Sequence, residues 1–155
     1  MRVYTLVAVL LCASVAIACK CQTQSPKEAF CKAHWVSHVK IKVRQSKQPM
    51  PTGSSRKGLN NIKYAVEHIR VFKKPSNLTT LPSEIYTPSE SPACGLLIDA
   101  GKEYLLAGRV EGMGLFTVLC GQVLPDDSTR TTFENVLEWR NVPQDLASSL
   151  TTITC

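Results

Sequence analysis

The sequence predicts a mainly β protein, a small Greek-key barrel of five strands with a few short helices. Several short segments alternate apolar and β-branched residues with polar ones, which is typical of half-buried strands. Stretches rich in Gly, Pro, Ser and Asn separate them and predict turns. Beyond residue 18 the chain carries an even set of cysteines, which in an exported protein indicates a disulfide-stapled domain.

The first eighteen residues have the pattern of a secretory signal peptide. Arg2 precedes an apolar stretch from Val3 to Ile17 that is too short for a comfortable membrane span. Ala16-Ile17-Ala18 is the small-x-small pattern that signal peptidase cleaves. We therefore expect residues 1–18 to be removed and residues 19–155 to form one secreted domain without a membrane span.

The cysteines of that domain predict three disulfides. Cys12 leaves with the leader, and six remain: Cys19, Cys21, Cys31, Cys94, Cys120 and Cys155. Their count leaves the pairing open. Bridges from the front to the back of the chain would each stabilise it by roughly 2–4 kcal/mol.

The net charge of the chain indicates which classes of partner it favours. The formal net charge is +6, and removal of Arg2 with the leader lowers it by one. A basic surface favours acidic partners such as sulfated glycans. Aromatic residues make up 6% of the chain and do not interleave with basic ones, which argues against nucleic-acid binding.

The first half of the domain predicts a helix followed by two long strands. Ser25-Pro26-Lys27-Glu28 forms a capping box with proline at the first helical position. Val36–Val43 predicts a half-buried strand, and Gln45–Asn61 a loop or long hairpin tip. Ile62–Phe72 predicts a bulged strand, with an amphipathic helix as the alternative. In the first strand an apolar set alternates with a basic outer face: Val39, Ile41 and Val43 against His38, Lys40, Lys42 and Arg44.

The second half predicts a long loop, three short strands and a helix. Lys73–Pro92 is rich in Pro, Ser and Thr and holds Asn77-Leu78-Thr79, an acceptor pattern for N-glycosylation at Asn77. Three strands are expected at Gly95–Ile98, Tyr104–Val110 and Leu115–Leu119. The last helix is predicted from a capping box and helical spacing, with a proline as its stop: Thr131, Phe133, Glu134, Val136, Leu137 and Arg140, then Pro143.

No residue pattern supports an enzyme. His34 and His38 are four residues apart, but the zinc-protease motif needs a Glu directly after the first His, where this chain has Trp35. The two histidines are expected on the surface of a helix–strand junction. Asp126-Asp127 lies in a turn-like stretch, and no serine lies in a Gly-x-Ser-x-Gly elbow.

The predicted first residue of the mature domain has two interpretations. The α-amine and carbonyl oxygen of Cys19 are close enough to bind one metal ion together, forming a five-membered chelate ring. Alternatively, Cys19 is only half of a disulfide near a frayed terminus.

A family resemblance favours the first interpretation. Cys19-Lys20-Cys21, then Pro26, then Ala29-Phe30-Cys31 resembles the start of the mature tissue inhibitors of metalloproteinases. Further segments resemble the strands of that family: Ile62-Lys63-Tyr64, Val71-Phe72-Lys73, Cys94-Gly95, Glu103 to Gly108 and Leu119-Cys120.

The resemblance implies a fold and a mechanism. The fold is a netrin-like, five-stranded OB-fold Greek-key barrel with two or three short helices and the bridges Cys19–Cys94, Cys21–Cys120 and Cys31–Cys155. In the family the first residue chelates the catalytic zinc of the protease and displaces its water. The inhibitor, expected to be a monomer, then needs no cofactor of its own. The implied protease-binding residues are Cys19, Lys20, Cys21, Gln22, Ser91 and Pro92.

Two features depart from the family pattern. Lys20 occupies a position where the family usually has Thr or Ser. In the family the residue at this position enters the main specificity pocket of the protease. Burying the charge of Lys20 in an apolar pocket costs free energy, so the targets are expected to narrow or to shift toward adamalysin-type proteases. The printed sequence also stops at its sixth mature cysteine, so we expect the family's second, C-terminal domain to be absent. The alternative function is a non-inhibitory netrin-like module that docks on matrix glycans through Lys40, Lys42 and Arg44.

Overall fold

The computed structural model describes residues 19, 21–54, 61–89, 94–126 and 136–155. Within these ranges no helix has the length and apolar character needed to cross a membrane. The elements, in chain order, are α1 (Pro26–Lys32), β1 (Trp35–Gln48), β2 (Asn61–Lys73), β3 (Glu84–Pro88), β4 (Glu103–Glu111), β5 (Gly114–Phe116), β6 (Leu137–Glu138), a 3₁₀ helix (Trp139–Asn141) and α2 (Gln144–Ser149).

The strands form one sheet that closes into a ring. The strand order is β1-β2-β3-β5-β4-β6, and β1 also pairs with β4, so five strands complete the barrel and β6 lies outside it. All pairs are antiparallel except β3–β5. The predicted mainly β fold with a five-stranded ring, few helices and three disulfides is confirmed.

The barrel strands supply two separate cores because successive residues of a strand point to opposite faces. Trp35 and Leu106 point into the barrel, whereas their neighbours Val36 and Leu105 point to a second core. The second core is closed by Phe30 of α1, Leu137 of β6, Leu146 of α2 and Leu150, which directly follows α2.

Helix α1 begins where the capping box predicted. The Glu28 amide donates to Ser25 Oγ at 3.2 Å, and the Ser25 amide donates to the Glu28 carboxylate at 3.3 Å. At the other end Lys73 Nζ donates to the carbonyl oxygens of Phe30 and Cys31, at 2.9 and 3.0 Å. A cation there satisfies carbonyls that the helix leaves unpaired.

Strand β1 departs from the predicted alternation at two positions. His38 is 7% exposed, because the outer face of β1 is covered near its start. Val43 is 49% exposed, and the β1–β2 register shifts between Ile41 and Val43, where Lys42 is an extra residue. Such a bulge breaks the regular alternation of faces, so the predicted inward position of Val43 is wrong.

Residues 61–73 form the predicted bulged strand. His38 is opposite Arg70 and Val39 is opposite His68, which leaves Ile69 as an extra residue in β2. The predicted bulge is therefore present and the helical alternative is wrong, although Ile69 and Val71 are 45% and 38% exposed and lie outside the core. The pairing of Gln48 with Asn61 extends β1 and β2 into a long hairpin, so Gln45–Gln48 belong to β1 and not to the predicted loop.

Strand β3 lies inside a stretch that was predicted to be loop. Ile85 and Thr87 are fully buried, and β3 pairs with β2 on one side and β5 on the other. The strand was not predicted because it has only five residues and the residues on both sides of it are rich in Pro and Ser. Strand β5 is also shorter than predicted, since it ends at Phe116 rather than Leu119.

The predicted last helix is wrong where the structure describes it. Thr131, Phe133 and Glu134 lie outside the described residues, but Leu137–Glu138 is a strand that pairs with Tyr104 and Leu105 of β4. Arg140 belongs to the 3₁₀ helix. Pro143 is the N-cap residue of α2 and does not end a helix. A proline is tolerated at the start of a helix because its φ is fixed near helical values and its missing N–H would have no partner there.

Candidate functional site at the amino-terminal cysteines

Three disulfides hold the two ends of the domain against the barrel. They join Cys19 to Cys94, Cys21 to Cys120 and Cys31 to Cys155, the pairs that the family resemblance implies. The first two bridges fasten the amino-terminal segment to the chain that follows β3 and to the chain that follows β5. The third ties α1 to the carboxyl terminus.

The first two bridges lie side by side. The Sγ atoms of Cys19, Cys94 and Cys120 are all within 4.8 Å of one another. Each sulfur is committed to a disulfide, and metal ligation by cysteine requires a thiolate. The side chain of Cys19 is therefore not a metal ligand in this structure.

The residues that follow Cys94 do not form the predicted strand Gly95–Ile98. Leu96 and Ile98 are buried and Leu97 is 64% exposed, which explains the strand-like sequence pattern. The backbone of this segment forms its hydrogen bonds with side chains and not with a neighbouring strand. The Leu96 amide donates to Thr87 Oγ1 at 2.8 Å. The Tyr64 hydroxyl donates to the Leu96 carbonyl at 2.8 Å and accepts from the Ile98 amide at 3.1 Å.

Close backbone contacts hold Cys94 itself. A Cβ atom at Gly95 would collide with the carbonyl oxygen of Pro88, so glycine is needed where this segment crosses the end of β3. Cys94 has a positive φ of 57°, and its carbonyl accepts from the Leu119 amide at 2.8 Å. The family resemblance pointed to Cys94-Gly95 in the sequence. No sequence pattern indicated that Tyr64 and Thr87 form hydrogen bonds to the residues that follow.

The other implied protease-binding residues are described only in part. Cys21 is half-buried and Gln22 is exposed beside it. Lys20, Ser91 and Pro92 lie outside the described residues, so their roles stay predictions. The structure thus brings together Cys19, Cys21 and Cys94.

The two histidines do not form a pair for a metal ion. His34 is exposed, and its Nδ1 accepts from the Val110 amide at 3.0 Å. His38 stacks on Trp139 with ring centroids 3.9 Å apart, and its Nε2 is 3.2 Å from a carboxylate oxygen of Glu103. The expectation of a surface position holds for His34 and is wrong for His38.

The basic residues of β1 do not form a uniform cationic face. Lys40 is half-buried. Lys42 is exposed but lies 3.1 Å from a carboxylate oxygen of Glu67, and Arg44 is exposed. The ion pair of Lys42 lowers the charge available to a sulfated glycan, so this strand gives the glycan-docking alternative no specific support.

Comparisons with known proteins point to one family. A family model described as tissue inhibitor of metalloproteinase matches residues 17–138. The Caenorhabditis elegans protein named "Putative metalloproteinase inhibitor tag-225" is 69% identical over 143 residues, which cover 92% of this chain and 90% of that protein. Human metalloproteinase inhibitor 2 is 34% identical over 128 residues, and the same inhibitor of Cricetulus longicaudatus is also 34% identical. These matches cover 79% of this chain but only 56% and 62% of the two mammalian proteins.

Proposed function

Because the chain belongs to the tissue inhibitor of metalloproteinase family, whose members are inhibitors and not enzymes, we propose that it inhibits zinc metalloproteinases through the main-chain groups of Cys19. The observation that carries this proposal is the double anchoring of the terminus by the Cys19–Cys94 and Cys21–Cys120 bridges. A terminus held in this way loses little conformational entropy when it binds, which favours tight association.

The mechanism follows from the chemistry of the first residue. Once the leader is cleaved after Ala18, the α-amine and carbonyl oxygen of Cys19 present two donors to the catalytic zinc of the protease. They take the coordination position of the water that the zinc activates for peptide hydrolysis. The amine must be neutral to bind, so binding releases a proton when the free amine is protonated.

The proposal includes the setting in which the inhibitor acts. The protein is secreted, works in the extracellular space or matrix as a monomer, and brings no metal or cofactor of its own. Its partners are zinc metalloproteinases of the matrix or adamalysin type. Lys20 enters the specificity pocket, while Gln22, Ser91 and Pro92 contact the protease surface around it.

Two measurements on secreted material test the proposal. Sequencing from the amino terminus should begin at Cys19, and titration against a panel of zinc metalloproteinases should give stoichiometric inhibition of at least one. A terminus that is blocked or extended, together with no inhibition across the panel, would contradict the proposal and favour the non-inhibitory binding module.

A further inference from the structure

We propose that Tyr64 is a positioning residue for the inhibitory terminus, because its hydroxyl fixes the segment 94–98 to which Cys19 is covalently joined. This inference rests on the proposed function and deepens it. Tyr64 lies inside the barrel on β2, is fully buried, and belongs neither to the terminus nor to the implied protease-contact residues.

The hydroxyl of Tyr64 uses both of its hydrogen-bonding roles on this one segment. It donates to the Leu96 carbonyl at 2.8 Å and accepts from the Ile98 amide at 3.1 Å. Burial raises the pKa of the phenol above its ordinary value of 10.0. The group therefore stays neutral at physiological pH and keeps the proton that it donates.

The start of this segment is held by the Cys94 carbonyl, which accepts from the Leu119 amide at 2.8 Å, but few hydrogen bonds of the described residues reach residues 95–98. The described residues show one further hydrogen bond to its middle, from the Leu96 amide to Thr87 Oγ1 at 2.8 Å. Leu96 and Ile98 are buried in the barrel core around Tyr64, but apolar packing is not directional. Without the hydroxyl, a buried carbonyl and a buried amide lose their partner, and the backbone will move to find another.

Such a movement reaches the zinc-binding groups through a short covalent path. The Leu96 carbonyl is two residues from Cys94, and Cys94 is bonded to Cys19. A metal chelate tolerates displacements of only about 0.5 Å before its geometry suffers. We therefore expect the hydroxyl to matter more for inhibition than for folding.

Substitution Tyr64→Phe removes the hydroxyl and leaves the ring in place. The matched control is Tyr104→Phe, because Tyr104 is also buried and its hydroxyl accepts from the Asp99 amide at 3.1 Å. That bond reaches the same stretch of chain at its far end from Cys94. Tyr64→Phe should raise the inhibition constant by about tenfold or more, and Tyr104→Phe by less than about threefold.

Hydrogen exchange and unfolding separate positioning from a general loss of stability. In Tyr64→Phe the Ile98 amide should exchange faster while the central amides of β1 and β4 keep their protection, and both variants should have similar unfolding midpoints. Unchanged inhibition in Tyr64→Phe would overturn the inference and leave the proposed function standing. Equal weakening in both variants, or faster exchange throughout the barrel, would also overturn it. A wild-type protein that inhibits no protease would instead remove the proposed function and this inference with it.

Discussion

The Sγ atoms of Cys19 and Cys120 lie 3.8 Å apart, although they belong to different disulfides. The two bridges therefore form one packed unit under the amino terminus. The third bridge, Cys31–Cys155, joins α1 to the carboxyl terminus and has no part in that unit. This arrangement separates the disulfides that orient the terminus from the one that closes the second core.

Removal of a disulfide should affect inhibition only when the bridge belongs to that unit. The double substitution Cys21→Ser with Cys120→Ser should lower the free energy of unfolding by roughly 2–4 kcal/mol and weaken inhibition strongly. The matched control, Cys31→Ser with Cys155→Ser, opens a loop of similar length, 124 against 99 residues of separation. It should lower stability by a similar amount and change the inhibition constant less than about threefold. Urea unfolding and inhibition assays measure both quantities, and equal loss of inhibition in the two variants would contradict the assignment.

His68 should make stability depend on pH. Its Nδ1 is 2.8 Å from Ser37 Oγ and its Nε2 is 2.8 Å from the Pro82 carbonyl, and burial lowers its pKa below the ordinary 6.5. The unfolded chain then binds this proton more readily than the folded one. The contribution of His68 to the free energy of unfolding is therefore full above about pH 6.5 and is lost as the pH falls through the folded-state pKa.

The substitution His68→Gln should flatten this part of the pH dependence. Urea unfolding at a series of pH values between about 5 and 8 measures the slope, and a wild-type slope in His68→Gln would show that another group is responsible.

Local signals predicted some elements because the decisive contacts are close in sequence. The capping box of α1 joins Ser25 and Glu28, and β4 contains a short apolar run, Tyr104 to Ala107, with turn residues close to it in sequence. Strands β3 and β6 could not be predicted in this way, because they are short and form only through pairing with distant strands. The segment 95–98 misled for the opposite reason: its alternation is that of a strand, but its hydrogen bonds go to the side chains of Thr87 and Tyr64.

The candidate site was predicted mainly through the family resemblance. The number of cysteines indicated three bridges, but only the resemblance implied which cysteines pair. No sequence pattern indicated that a tyrosine of β2 holds the segment behind Cys94, because that contact spans 32 residues.

Asn77 should carry an N-linked glycan when the protein is secreted from eukaryotic cells. Asn77 and Thr79 are both exposed, in the turn that follows β2. Asn77→Gln and Thr79→Ala should each remove the same mass, since the acceptor pattern needs both residues. Thr80→Ala, at the exposed neighbour, should leave the mass of the glycan unchanged. Intact mass with and without glycosidase treatment provides the measurement, and a wild-type protein without added mass would refute the prediction.

Lys20 should limit the range of proteases that are inhibited. A lysine ammonium in a deep apolar pocket loses hydration without a compensating partner, so Lys20→Thr should tighten inhibition of proteases with such pockets. Lys20→Gly removes most of the side chain and should weaken binding across the panel. The measurement is the inhibition constant of the wild-type protein, of Lys20→Thr and of Lys20→Gly against the same set of proteases. If Lys20→Thr leaves every inhibition constant unchanged, the side chain does not enter the pocket.

The α-amine of Cys19 should be essential for inhibition and unnecessary for folding. Among the described residues neither the disulfides nor the hydrogen bonds of the barrel use it, whereas zinc chelation requires a free, neutral amine on this residue. Inhibition should therefore also weaken as the pH falls below the ordinary amine pKa of about 7.7–8.0, because protons compete with the zinc.

One added alanine before Cys19 is the most direct test of the account. The extra residue turns the amine into an amide and occupies the position of the metal, while circular dichroism should show an unchanged fold. Loss of a bidentate metal contact should raise the inhibition constant by a factor of hundreds or more, since about 1.4 kcal/mol corresponds to a tenfold change. If the extended and folded protein inhibits as well as the native one, Cys19 is not the zinc ligand.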